Sequence, residues 1–190
     1  ESVDESVGNI LDFLEENDLD KNTLLIYTSD QGFFLGEHGL FDKRFMYEEA
    51  FRTPLLMKYP GEIPEGMSSD HLVQNLDIAP TLLDIANCTI PDKMQGKSLR
   101  EIWKSTNVKW RDAVYYHFYE KGWGVSPHYG IRTGRYKLIR FYELIDSWEL
   151  YDLKNDPLEL NNLYDNSEYG EVREKLRKQL GELRSEYEDL

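Results

Sequence analysis

The sequence predicts an α/β fold in two parts: a piece of a mainly parallel sheet flanked by helices, then a small antiparallel sheet packed by a C-terminal helix. Three observations predict it. An amphipathic segment leads into the continuous apolar run Leu24-Leu25-Ile26-Tyr27, which reads as half of a strand–helix crossover unit with the strand covered on both faces. Three later tracts, 112–120, 129–142 and 148–153, are rich in aromatic and β-branched residues and are separated by turn signals, the pattern of an antiparallel meander. Near the end of the 190-residue chain, Val172, Leu176, Leu180, Leu183 and Tyr187 recur at helical spacing.

In chain order, Val3, Val7, Ile10, Leu11 and Leu14 predict a helix over 2–17. The apolar run follows the polar turn 17–22. Phe45–Phe51 reads as a short helix, and Pro54 restricts the residue before it. Leu55–Tyr59 reads as a second buried strand closed by Pro60 and Gly61, and Leu72–Asn75 as a short strand. Asp77 is placed to cap a helix that tolerates an early Pro80, and Ser98 with Glu101 forms a capping-box pattern ahead of Ile102 and Trp103. The alternation of Val114, Tyr116 and Phe118 with Tyr115, His117 and Tyr119 assigns these side chains to opposite faces of a strand. The composition shift between Ser105 and Val108 divides the chain into 1–105 and 106–190.

The length suffices for a real core. A formal charge of −14 argues against nucleic-acid and anionic-membrane surfaces, so an anionic substrate needs local positive charge. No segment approaches the ~20 apolar residues that span a bilayer. Cys88 is the single cysteine, and no Cys/His cluster has zinc spacing.

The stretch Thr23–Pro54 concentrates the chemistry. Asp30 and Gln31 follow the apolar run and offer a carboxylate and an amide carbonyl, hard oxygen donors suited to calcium or magnesium. An Asp that only caps the turn is the alternative, and two donors do not complete a shell of ~6–8 oxygens. Gly32, Gly36 and Gly39 loosen the backbone ahead of Lys43, whose compact ammonium suits a tetrahedral oxyanion, the other reading being a solvated surface lysine. Glu37 and His38 share the loop, where an imidazole can protonate a leaving oxygen. Arg52 has a structural alternative, pairing with Glu48 or Glu49.

The order Asp30-Gln31-Gly32, GEHG, Lys43, Tyr47, Glu48, Arg52 and Pro54 resembles the second signature region of the type I, formylglycine-dependent sulfatases of the alkaline-phosphatase superfamily. LDIAPTLLDIA, MQGKSL and GIRTGRYKLIRFY…WELYDLKNDPLELNNL extend the resemblance over nearly the whole chain. It implies a calcium site completed by Asp30 and Gln31 (magnesium being the other candidate), sulfate contact by Lys43, and histidines that assist the leaving alcohol, for which His38 and His128 are candidates. His128, in SPHYGIRTGRY, is assigned a sugar contact against an equally weighted structural role; His117 is assigned to strand packing and His71 to an exposed stretch. Trp123 and Tyr129, which flank His128, are candidates to stack a sugar ring, with packing as their other reading.

The family's C/S-x-P/A-x-R element, source of the formylglycine nucleophile, does not occur here, nor do two early Asp ligands, so the chain resembles the C-terminal portion of such an enzyme. The expected function is therefore half of the calcium and sulfate site of a sulfuric ester hydrolase acting on a sulfated saccharide, inactive without its N-terminal part. Phosphodiester or phosphonate hydrolysis and a noncatalytic binding module are the alternatives. The family implies a periplasmic, extracellular or lysosomal setting. Asn87-Cys88-Thr89 is formally a glycosylation acceptor.

Overall fold

The computed structural model describes residues 2–105 and 107–189. Thr106, beside which the expected boundary falls, lies outside them. The chain forms two compact units, one of residues up to Ser29 with Pro54–Lys109, the other of Asp30–Thr53 with Trp110 onward. The segment richest in candidate site residues thus groups with the C-terminal sheet.

In the first unit α1 spans Ser2–Glu16, one residue short of the expected helix, and none of its residues is buried. Strands β1 (Leu25–Thr28) and β2 (Leu55–Lys58) pair antiparallel, from Leu25 opposite Lys58 to Thr28 opposite Leu55. The α/β class holds, but these two strands are neither parallel to each other nor fully covered: Tyr27 is 40% and Leu56 66% exposed. An apolar run reports a demand for burial and carries no information on strand direction.

Leu72–Asn75 is not a strand. Its Gln74 N–H is taken by the Asp77 carboxylate at 2.8 Å, which winds Asn75–Asp77 into a 3₁₀ turn in place of a ladder. The turn runs into α3 (Ile78–Ile85), which has Asp77 at its N-cap position but no side-chain cap, because that carboxylate also accepts Lys97 N–H at 2.8 Å. Helix α4 (Arg100–Lys104) likewise lacks the expected Ser98–Glu101 box. Ser98 Oγ instead donates to Asp84 at 2.5 Å and accepts from Arg100 N–H at 3.3 Å, so its hydroxyl ties α4 to α3.

In the second unit the expected helix over 45–51 contracts to α2 (Glu48–Phe51). The antiparallel meander is present as β3 (Ala113–Phe118), β4 (His128–Thr133), β5 (Tyr136–Phe141) and β6 (Ser147–Asp152), in that spatial order. Strand alternation gives this sheet two unlike faces. On one face Ala113, Ile131, Leu138 and Leu150 meet Leu176 and Leu180 of α5 (Gly170–Glu186) in an apolar core. On the other, Ile139, Phe141 and Tyr151 pack Met46, Phe45, Tyr47 and Phe51 of the segment that carries the site. A Cβ at Gly130 would stand 2.5 Å from Leu138 O and 2.6 Å from Met46 Sδ, so a bare backbone there seats Met46.

No helix among the described residues is long and apolar enough to cross a membrane. Two substitutions test the two-faced sheet. Leu180→Ala should cost about 2–5 kcal/mol by opening a cavity under α5, and Gly130→Ala about 1–3 kcal/mol by crowding Met46. Both are read by urea unfolding of the chain.

Candidate functional site

Asp30 and Gln31 lie just past β1, Asp30 exposed and Gln31 half-buried. Gly32 then passes so close to α2 that a Cβ would stand 1.9 Å from Glu49 O, while its N–H donates to Ala50 O at 2.8 Å. This contact pins the start of the loop to its end. Asp30 and Gln31 fit a hard cation by donor type, a carboxylate and an amide carbonyl. They are too few to enclose one, and among the described residues no three His, Cys, Asp or Glu side chains gather as a metal site.

His38 adopts φ 54°, in the left-handed region, inside the 3₁₀ turn Glu37–Gly39. Its ring stacks on Tyr47 at 4.4 Å between centroids, and Nε2 lies 3.5 Å from Glu49 Oε2. That separation is a charge-pair distance without a hydrogen bond. Tyr47 is itself fixed, because its hydroxyl and that of Tyr151 both donate to Glu149 Oε2 at 2.9 Å. Burial, reinforced by the Glu149 charge, pushes both phenols well above the usual tyrosine range, so they stay protonated donors. The chain Glu149–Tyr47–His38–Glu49 thus orients the imidazole from the sheet outward. Glu37, by contrast, turns back to accept Leu35 N–H at 2.6 Å.

Lys43 is exposed, and its backbone N–H donates to Asp42 Oδ1 at 2.5 Å. Asp42 also holds Arg44, through its N–H at 2.9 Å and its guanidinium at 2.7 Å. The loop therefore presents two adjacent cations, one of them clamped.

His128 is fully buried. Its Nδ1 donates to Ser126 O at 2.9 Å, leaving Nε2 without a partner among Phe45, Tyr116, Phe118 and Phe141. Burial lowers its pKa to about 4, so the ring is neutral at physiological pH. With 0% of its surface exposed, the ring has no face on solvent, so the sugar contact expected of it would require its aromatic cover to part. Burial also pushes the Tyr116 phenol up to about 12. His117 sits in β3, as expected, with Nδ1 2.5 Å from Asp189 Oδ2 and Nε2 2.7 Å from Tyr142 Oη. Tyr129 packs with the core under α5, the structural reading of that residue.

Sequence reading missed what anchors the loop. Lys137, fully buried on β5, places Nζ 2.9 Å from Glu48 Oε1 and 2.8 Å from Glu159 Oε1, with Arg132 Nη2 3.4 Å from Glu48 Oε2. Glu159 closes the group by accepting Glu48 N–H at 2.6 Å, an orphan donor of the first turn of α2. Burial opposes the Glu48 charge, but Lys137 and Arg132 outweigh it and hold that carboxyl below its usual range. At Glu159 burial prevails over Lys137 and pushes the carboxyl up. The available signal was a lysine on the same strand face as Ile139 and Phe141, where a charge demands a buried partner.

Comparison with known proteins agrees with this architecture. The family profile described as N-sulphoglucosamine sulphohydrolase, C-terminal, matches residues 36–186. The chain belongs to this sulfatase family. An N-acetylglucosamine-6-O-sulfatase of Bacteroides thetaiotaomicron is 48% identical over 99% of the chain and 35% of its own length. An arylsulfatase of Clostridium perfringens is 35% identical over 93% of the chain and 36% of its length. A protein solved in complex with its substrate, D-glucosamine-2-N,6-O-disulfate, superposes with a TM-score of 0.92 at 48% identity, over 98% of this chain and 39% of that one. The chain thus spans about a third of the length of the curated sulfatases it matches and corresponds to their C-terminal part.

Two measurements check the anchors. Lys137→Ala leaves Glu159 buried without its cation and should destabilise the chain by about 3–5 kcal/mol in urea unfolding. His128 has a folded pKa, about 4, below its unfolded value of 6.5, so the unfolded chain binds more protons between these limits and stability falls as pH drops through that window. From this group alone the chain should be about 2 kcal/mol less stable at pH 5 than at pH 7. His128→Phe should remove that part of the pH slope.

Proposed function

We propose that this chain is the C-terminal part of a sulfuric ester hydrolase acting on a sulfated glucosamine saccharide, and that residues 30–53 supply half of its calcium and sulfate site. In this reading 1–105 completes the α/β catalytic domain and 106–190 is the C-terminal subdomain. One observation carries the proposal: a single anchored loop, in a chain of the sulfatase family, bears metal-type oxygen donors, an exposed ammonium and a carboxylate-paired imidazole. The substrate class is supported by the 48% identity to a relative named N-acetylglucosamine-6-O-sulfatase.

Each residue then has a defined task. The Asp30 carboxylate and the Gln31 side-chain carbonyl would hold a calcium ion together with donors from the rest of the protein, and its charge would offset that of the sulfate. The Lys43 ammonium meets the nonbridging sulfate oxygens, where negative charge is greatest. His38 delivers a proton to the sugar oxygen as its bond to sulfur breaks, while Glu49, 3.5 Å from Nε2, orients the ring and balances the imidazolium charge. His128 acts from behind, filling the aromatic cluster against which Phe45 packs two residues after Lys43. The nucleophile, a formylglycine hydrate in the family, belongs to the remainder of the protein.

The test is sulfate release from glucosamine 6-sulfate by the intact reading frame. Lys43→Ala should lower kcat about 10²–10³-fold, the size of effect seen on removing one preorganised charge donor, with the melting temperature unchanged. A Lys43→Ala enzyme as active as the wild type would refute the assignment.

A further inference from the structure

Trp123, one of the two aromatic residues that the sequence offers to stack a sugar ring, has no part in the loop chemistry described above. It lies in the sequence Lys121-Gly122-Trp123-Gly124, with φ of 147° at Gly122, 56° at Trp123 and 75° at Gly124. Glycine takes such angles freely, whereas a bulky aromatic residue in the left-handed region is an outlier. The turn is not loose. Val125 N–H donates to Gly122 O at 3.0 Å, Val125 is buried, Lys121 pairs with Glu143 at 2.7 Å, and Ser126 Oγ donates to Tyr142 O at 2.6 Å.

What this anchored turn displays is a tryptophan that is 80% exposed. One side of the ring is taken by Arg44, whose guanidinium carbon lies 5.1 Å from the ring centroid, and Arg44 is itself clamped by Asp42. With Arg44 over one face and the residue so exposed, the ring retains surface for a ligand. A strained backbone that holds a large apolar face in water is a reason to look for a ligand. The cation behind the ring adds a preference for an anionic one, and Lys43 is the adjacent residue.

From this geometry we infer that Trp123, backed by Arg44, is a stacking subsite for the pyranose ring of an anionic saccharide, and a determinant of preference for sugar sulfates over small sulfate esters. The inference rests on the sulfatase reading and adds a specificity element to it. An exposed indole presents a flat apolar face to the C–H groups of a sugar, while Arg44 fixes the plane of the ring and contributes long-range attraction to the sulfate. An aryl sulfate has a good leaving group and depends less on positioning of its ring, whereas a sugar sulfate has a poor leaving group and depends on it more, so the two substrate classes should depend on Trp123 unequally.

The experiment compares glucosamine 6-sulfate with p-nitrophenyl sulfate in the intact protein, as wild type, Trp123→Ala and Trp123→Phe, with calorimetric melting of each. Trp123→Ala should raise KM for the sugar sulfate and lower the ratio of sugar to aryl kcat/KM about tenfold, and Trp123→Phe should restore most of it. An unchanged ratio in Trp123→Ala overturns the subsite, as does an equal loss on both substrates with a lowered melting temperature. If the wild type releases sulfate from neither compound, the functional reading fails separately. Titration of glucosamine 6-sulfate by calorimetry then decides the subsite: weaker binding in Trp123→Ala sustains it, and equal or absent binding in both proteins overturns it.

Discussion

The buried Lys137 ammonium is the constraint on which the candidate site depends. It sits at 0% exposure between Glu48, from the segment that bears the site, and Glu159, from the turn beyond β6. An isolated charge in such a place would cost far more than a domain's net stability, so the two carboxylates must stay where they are. Two contacts tie the site segment to the sheet at Glu48: its carboxylate meets Lys137 and Arg132, and its N–H meets Glu159. Replacing such a group by apolar residues need not weaken a fold. What it supplies here is geometric: the ions can pair in few ways, whereas the surrounding Met46, Phe45 and Phe51 contacts could slide.

The two faces of the small sheet divide labour in consequence. Under α5 the contacts are aliphatic and aromatic, insensitive to exact direction, and stabilise the unit. Beneath the site segment the same strands carry Arg132, Lys137, Glu149 and His128, all of which require partners at defined angles. Period-two alternation lets one strand serve both ends: Leu138 faces the helix and Lys137 the loop. The face under α5 chiefly stabilises, while the face under the site segment both stabilises and positions.

The sequence was most legible where one physical signal dominated. The four-stranded meander and α5 were readable because alternation and helical spacing are strong and local. Element starts are less legible, since Asp77 and Ser98 have the local pattern of caps while their side chains bind residues distant in sequence, Lys97 and Asp84. Strand direction at β1 and β2 was not readable at all, because apolar runs carry no orientation. In the site, Asp30, Gln31, His38 and Lys43 stand within one short stretch and could be named from it. Glu49 beside His38, Arg44 beneath Trp123 and the Lys137 group could not, because long-range pairing selects one carboxylate from a chain rich in them.

That abundance of carboxylates also bears on how an acidic chain could hold a sulfate. A net charge of −14 repels an anion at long range, but salt screens exposed charges beyond roughly 8 Å at physiological ionic strength. Within that distance composition matters less than which charges are already paired. In the site loop Asp42 is engaged by Arg44, Glu37 by Leu35 N–H, Glu48 by Lys137 and Glu49 by His38. The Lys43 ammonium is exposed in this loop beside Arg44, and of the nearby acids Asp42 and Glu48 are paired with cations. Asp42, by fixing Arg44 and the backbone of Lys43, holds two adjacent cations where an anion can meet them.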